Sequence, residues 1–263
     1  MTKIAPLLDK DGVQLIVDDT IATVTLTNPD KRNAQSPALW RALSEAGRSL
    51  PGSVRVVVLR GEGKSFSAGL DRQAFTPEGF DGEPSFIDLA RGGEELLDST
   101  IAEYQDAFTW LRRGDILSVA AVQGHAIGAG FQLALSCDLR VVADDVQFSM
   151  RETSLGLVPD LTGTHPLVGL VGYARALEIC VTGRYVHADE AVRSGLANVA
   201  VPGDQLEDAT RDLVAALVAA PRDAVVETKV LLQGAAGRTL DEQRAAERAA
   251  QGRRLRDLAG LGD

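Results

Sequence analysis

A chain of 263 residues with 45% hydrophobic and 24% charged side chains can bury a core without disulfide or metal staples, as one large unit or two small ones. The formal net charge of -10 argues against nucleic-acid binding, which needs clustered Lys and Arg. The two cysteines, Cys137 and Cys180, lie in apolar helix-like runs and read as reduced thiols. The first residues, MTKIAPLLDKDG, lack the basic start and apolar run of a signal peptide. No apolar run approaches the roughly 18 residues of a membrane span, so a cytoplasmic location is expected.

The early elements read as strands. VQLIV (13–17) and IATVTLT (21–27) are β-branched runs split by Asp18, Asp19 and Thr20, a hairpin signal. Asn28, Pro29 and Asp30 end the second strand. Ser36 is a good N-cap and Pro37 suits a first helical turn, so a helix is predicted from there to about Leu50. VRVVVLR (54–60) is nearly all apolar, as in a strand buried on both faces.

GEGKSFSAGLD follows that strand. The stretch 76–98 is rich in Pro, Gly and acids and is predicted to be an irregular, mobile loop. IAEYQDAFTWLRR (101–113) reads as helix and SVAAV (118–122) as a buried strand. After the interruption QGHAIGAG comes a helix, FQLALSCD, and another strand, LRVVA (139–143). Strand, Gly-rich turn and helix recur, an α/β pattern with parallel strands. Beyond Gly172 the chain carries helical patterns and no strong strand. Thr239 followed by Glu242 is a capping-box signature, and the helix it opens is charged on most faces. Such a helix is either solvated or packed on a partner subunit.

Two glycine turns follow two buried strands: Phe66-Ser67-Ala68-Gly69-Leu70-Asp71 and Gly124-His125-Ala126-Ile127-Gly128-Ala129-Gly130-Phe131-Gln132. Small residues let backbone run close to a ligand, and a helix starting there presents unpaired N–H groups and a positive dipole end. Two such groups aimed at one point would make an oxyanion hole. Either turn alone reads equally as a close-packed strand–helix connection. No GxxxxGK[ST] phosphate loop, nucleophile elbow or metal-ligand spacing occurs.

Together, FSAGLD and AVQGHAIGAGFQLALSCDLRVVA resemble the enoyl-CoA hydratase/isomerase (crotonase) family. The likeness extends over nearly the whole chain, including NPDKRNA (28–34), FSMRETSLGLVP (148–159), VTGR (181–184) and AVRSGLANVAVP (191–202). It implies an α/β fold, a crotonase-like ββα spiral with a helical C-terminal region. The catalytic core would span 1–200, and a segment 201–263 would serve oligomerisation and pocket cover. It further implies a homotrimer or dimer of trimers acting on an acyl-CoA thioester, with no cofactor beyond the coenzyme A of the substrate. The hole would be the N–H groups of Leu70 and Ala129, where family members often have Gly at the second position. Backbone near Ser67 and Ala68 would hold adenine. Asp71 and Gly128 would belong to the binding site, and Lys31, Arg32 and Lys64 are candidates for the phosphates. Each of these three cations reads equally as solvated surface charge.

Hydratases of this family hold water between two glutamates. The first falls at Gln132, and a carboxamide cannot act as a general base. The second is retained as Glu152. Asp160, eight residues on, matches an acid of the family's dienoyl-CoA isomerases, although those carry a further acid where this chain has Gln132. Asp160 reads equally as a helix N-cap. His125 and His165 are given no catalytic role. Isomerisation is thus at least as well supported as hydration, with Glu152 the proton carrier and Gln132 and Asp160 beside it. The alternative is a non-catalytic or weakly catalytic acyl-CoA-binding protein.

Overall fold

The computed structural model describes residues 4–262. The first apolar runs form an antiparallel meander of β1 (Leu8–Lys10), β2 (Val13–Asp18) and β3 (Ile21–Leu26). The β2–β3 turn closes where Asp18 pairs with Ile21, and Asp19 takes a left-handed φ of 52°. A short polar side chain is tolerated there. Helix α1 (Pro37–Ser49) starts as predicted: the Ser36 hydroxyl accepts from the Leu39 N–H at 3.2 Å, and Pro37 sits in the first turn.

Strand β4 (Val56–Gly61) then pairs parallel with β3. Helices α2 (Phe86–Arg91) and α3 (Glu94–Thr109) lead to β5 (Leu117–Val122), parallel to β4. A short β6 (His125–Ile127) runs into α4 (Ala129–Ser136), and β7 (Leu139–Ala143) returns beside β5. Next come β8 (Gln147–Ser149), α5 (Thr164–Val171), α6 (Tyr173–Thr182), β9 (Val186–His187) and α7 (Ala188–Arg193). The chain continues as β10 (Val199–Val201), α8 (Leu206–Ala219), α9 (Arg222–Ala235) and α10 (Leu240–Leu258).

The main sheet has the order β1-β2-β3-β4-β5-β7-β10, and every pairing from β3 onward is parallel. A small sheet, β6-β8-β9, takes up the segments that follow β5 and β7 in sequence, and β6 leads into the site. The largely apolar character of β4 and β5 follows from their place between two layers. Val57, Leu59, Ala120 and Val122 face a core with Leu39, Leu43, Phe108 and Phe131, while Val56, Val58, Val119 and Ala121 face Leu206 and Val214 of α8. Each such Val, Leu or Phe side chain contributes roughly 1.5–3 kcal/mol of burial.

Two sequence expectations need correction. The stretch 76–98 is not a loop throughout: Ser85 caps α2 by accepting from the Asp88 N–H at 3.2 Å, and α3 begins at Glu94, well ahead of Ile101. A serine cap and the acids Glu94 and Glu95 in a first turn outweigh the Gly- and acid-rich composition. The region beyond Gly172 also contains strands, β9 and β10, of which β10 extends the main sheet. The capping box at Thr239 is formed, with the Thr239 N–H donating to Glu242 Oε2 at 2.7 Å.

Helix α9 is tied to the sheet by a buried cation. Lys229 Nζ donates to the Ile116 carbonyl and to Asp138 Oδ2, both at 2.7 Å. Cys137 is buried and Cys180 half-buried, and both are free thiols. Among the described residues no helix is long and apolar enough to cross a membrane.

Candidate active site

The two glycine turns meet. Ser67 donates its N–H to the His125 carbonyl at 2.9 Å and accepts from the Ile127 N–H at 3.0 Å, which lays the first turn along β6. Gly69 has φ +83°, and a Cβ there would come 2.3 Å from the Ile127 carbonyl oxygen and 3.5 Å from the Ala129 nitrogen. Only a bare Cα permits that approach. Among the described residues, neither the Leu70 N–H nor the Ala129 N–H donates a hydrogen bond. Ala129 opens α4, whose N-cap Gly128 offers no side chain, so two free donors and the positive end of a helix share one place.

The first turn is fastened by buried polar groups, of which the sequence singled out Ser67 alone. Ser67 Oγ donates to the Asn33 carbonyl at 2.8 Å and accepts from Gln35 Nε2 at 3.0 Å and from the Gly69 N–H at 3.2 Å. Asn33 Nδ2 donates to the Glu62 and Ser65 carbonyls at 2.9 and 2.8 Å. Trp40 Nε1 donates to Gln35 Oε1 at 2.7 Å. All three polar side chains are buried, and mutual satisfaction is what allows them there. Membership of Asn33 in the NPDKRNA stretch was the one available signal.

The three candidate proton-handling residues also converge. Gln132 lies on α4 and is wholly buried. Its Nε2 donates to Glu152 Oε1 at 2.7 Å, and its Oε1 accepts from the Leu161 and Gly163 N–H groups at 2.9 and 3.2 Å. Glu152 Oε2 is buried and has no partner. Burial raises the Glu152 carboxyl above the ordinary range, the nearby backbone N–H groups of Glu152 and Arg151 and the hydrogen bond from Gln132 oppose this, and the Asp160 charge adds to it.

Asp160 is raised as well, chiefly by burial. Its backbone carbonyl accepts from Gln105 Nε2 of α3 at 2.7 Å, while its carboxylate accepts no hydrogen bond among the described residues. The N-cap alternative for Asp160 does not hold: α5 begins at Thr164, after Gly163, with no side-chain cap. The aspartate therefore stands half-buried without a structural task.

The remaining candidates separate. The Ser67 N–H and carbonyl each pair with β6. At Ala68 the N–H donates to the Arg32 carbonyl at 2.8 Å, and the Ala68 carbonyl accepts nothing among the described residues. Asp71 caps a short 3-10 turn through the Gln73 N–H at 3.0 Å and pairs with Lys31 at 3.2 Å. Lys31 is thereby neutralised, whereas Arg32 and Lys64 are exposed and form no ion pair among the described residues. His125 Nδ1 lies 3.1 Å from Ser65 Oγ and His165 is exposed, so neither faces the carboxylates as a partner.

A sequence model described as "Enoyl-CoA hydratase/isomerase" matches residues 17–256. The chain belongs to the enoyl-CoA hydratase/isomerase family. This family member is 34% identical over 213 residues to the human mitochondrial Delta(3,5)-Delta(2,4)-dienoyl-CoA isomerase, over 80% of the present chain and 64% of the human one. The match thus spans just under two thirds of that relative. A candidate enoyl-CoA hydratase from Thermobifida fusca YX superposes with a TM-score of 0.91 at 48% identity, covering 95% of both chains. Its complex with acetoacetyl-CoA superposes at 0.90 with 49% identity, covering 94% of this chain and 95% of that one.

Proposed function

We propose that this protein moves carbon–carbon double bonds within enoyl-CoA thioesters. Glu152 carries the proton, and the N–H groups of Leu70 and Ala129 hold the enolate oxygen. The carrying observation is Glu152 Oε2, a buried carboxylate oxygen with no protein partner. It belongs to the carboxylate that lies against Gly128, directly before the free Ala129 donor.

Taking a proton from carbon next to a thioester, or from the far end of its conjugated system, leaves charge on the carbonyl oxygen. Two preorganised donors aimed at that oxygen are worth roughly 3–4 kcal/mol each. The proton taken by Glu152 returns to another carbon of the same chain, so the reaction is balanced without water, oxidant or reductant. This reading requires no cofactor beyond coenzyme A itself. Asp160, half-buried and free of hydrogen bonds to its carboxylate, is the second carboxyl group for the longer transfer across a diene.

Hydration is the weaker reading. It needs two acids to hold and split one water, and the carboxamide of Gln132 stands where one of them would be. Arg32, Lys64 and the free Ala68 carbonyl are the groups proposed to receive the coenzyme. The similarity to a protein solved with acetoacetyl-CoA supports a thioester ligand. Exposed Leu155, Val158, Tyr173, Leu177 and Val181 support self-association, proposed as a trimer or dimer of trimers and checked by sedimentation.

The test is incubation with 3-enoyl-, 2-enoyl- and 3,5-dienoyl-CoA, following conjugation by absorbance and water addition by mass. Isomerisation lost at least about 100-fold in Glu152→Gln supports the proposal. Hydration of a short 2-enoyl-CoA faster than any isomerisation overturns it. Tight thioester binding with neither reaction would replace it with an acyl-CoA-binding role.

A further inference from the structure

Gln132 is engaged on both ends of its side chain. The Leu161 and Gly163 N–H groups can only donate, so the amide oxygen must face them and the NH2 must face Glu152. The direction of the carboxamide is therefore dictated by its surroundings. Gly163 makes room for it: a Cβ there would come 2.6 Å from Gln132 Cγ. The two backbone donors flank Thr162 in the turn that directly follows Asp160. One amide thus touches Glu152 on one side and the turn that carries Asp160 on the other.

We infer that Gln132 is a positioning residue, a bracket that fixes the spacing of Glu152 and Asp160 and leaves Glu152 one free oxygen for the substrate. The inference rests on the isomerase reading and deepens it. The bond from Nε2 occupies Glu152 Oε1 and leaves Oε2 as its open oxygen. Neutrality matters as much as geometry. A carboxylate at position 132 would satisfy Leu161 and Gly163 equally well, but its second oxygen would meet Glu152 Oε1 at the present 2.7 Å. Two carboxylates so close share a proton and titrate as a pair. The carboxamide keeps Glu152 a single base with a single titration step.

The titratable and charged groups around Glu152 are Asp160 on the following turn, Cys180 of α6, and the neighbouring Arg151, whose guanidinium lies 5.1 Å from the Tyr185 ring centroid. None of them replaces the bond from Gln132. Loss of that bond removes a group that favours the ionised carboxylate.

The experiment compares wild type, Gln132→Leu and Gln132→Glu by isomerase kinetics against pH and by carbon-13 NMR titration of the labelled Glu152 carboxyl. For Gln132→Leu the bracket predicts kcat lower by about 100-fold, because a small misplacement of a reacting group costs that much. KM should stay within about threefold, since thioester binding uses other groups. The acidic limb and the Glu152 titration should both move to higher pH, which a merely structural role would not cause. Wild-type kcat and an unmoved limb in Gln132→Leu overturn the inference. Should Gln132→Leu fail to fold, Gln132→Glu decides, because it keeps both backbone bonds. It should give two titration steps, and a single step at the wild-type position overturns the bracket. Should the wild type fail to isomerise, the isomerase reading falls, while the NMR titration still tests the bracket.

Discussion

Glu152 packs against the bare face of Gly128: a Cβ on that glycine would come 3.3 Å from Glu152 Oε1. Gly128 also holds φ at +51°, a conformation that side chains rarely adopt. Gly128→Ala is therefore expected to strain the backbone that opens α4 and to push the carboxylate off its position. Stability should fall by about 1–2 kcal/mol in urea titration. Turnover should fall further than that loss explains, by about 100-fold.

Glu152→Gln should raise stability while it abolishes turnover. The folded protein holds the Glu152 carboxyl above its unfolded value, so it favours the protonated form. The stabilisation from that preference is complete below the unfolded value and is lost as pH rises through the folded one. A glutamine has no charge to desolvate and can still accept from Gln132. Melting curves of variant and wild type should nearly coincide at acid pH and separate towards neutrality, with the variant higher. A constant gap at all pH values would refute this.

Arg32 and Lys64 carry unpaired charge, whereas Lys31 is neutralised by Asp71. The double substitution Arg32→Ala, Lys64→Ala should weaken coenzyme A binding about tenfold at low salt, and the deficit should shrink in high salt. Lys31→Ala should change affinity less than either. Calorimetric titration at two ionic strengths measures both.

Arg140 stabilises the far end of α4. Its buried guanidinium donates to the Leu196 carbonyl at 2.6 Å and the Cys137 carbonyl at 2.7 Å, with longer bonds to Ala134 and Asp138. Burial pushes the guanidinium down from its ordinary range, yet the carbonyls and the C-terminal end of the helix offset that cost. Arg140→Met should strip the guanidinium from the Leu196 and Cys137 carbonyls and cost about 3 kcal/mol in denaturant titration.

Much of this was legible in the sequence because it rests on local rules. Ser36 with Pro37, and Thr239 with Glu242, announce helix starts through contacts within one turn. The largely apolar runs of β4, β5 and β7 announce strands covered on both faces. Strands of two or three residues, such as β6, β9 and β10, are too short to show a period. The tasks of Gln132 and Ser67 were hidden for another reason. Their partners, Leu161 and Gly163 for one and Asn33 and Gln35 for the other, lie far along the chain, and only the tertiary fold brings them together. Asp160 shows the converse: a local rule offered a cap beside the functional reading, and the helix began farther on.

The knot around Ser67 bears on how the chain comes to bind anything at all. Its hydroxyl joins Asn33, Gln35 and Gly69, and its backbone joins β6. The Leu70 donor reaches its place only once three separate stretches of chain have assembled, and Ala129 waits on the same event. If these donors hold the thioester as proposed, its binding should report completed assembly. A ligand that binds only the finished state also draws the folding equilibrium toward it, by about 2.7 kcal/mol at a hundredfold excess over Kd.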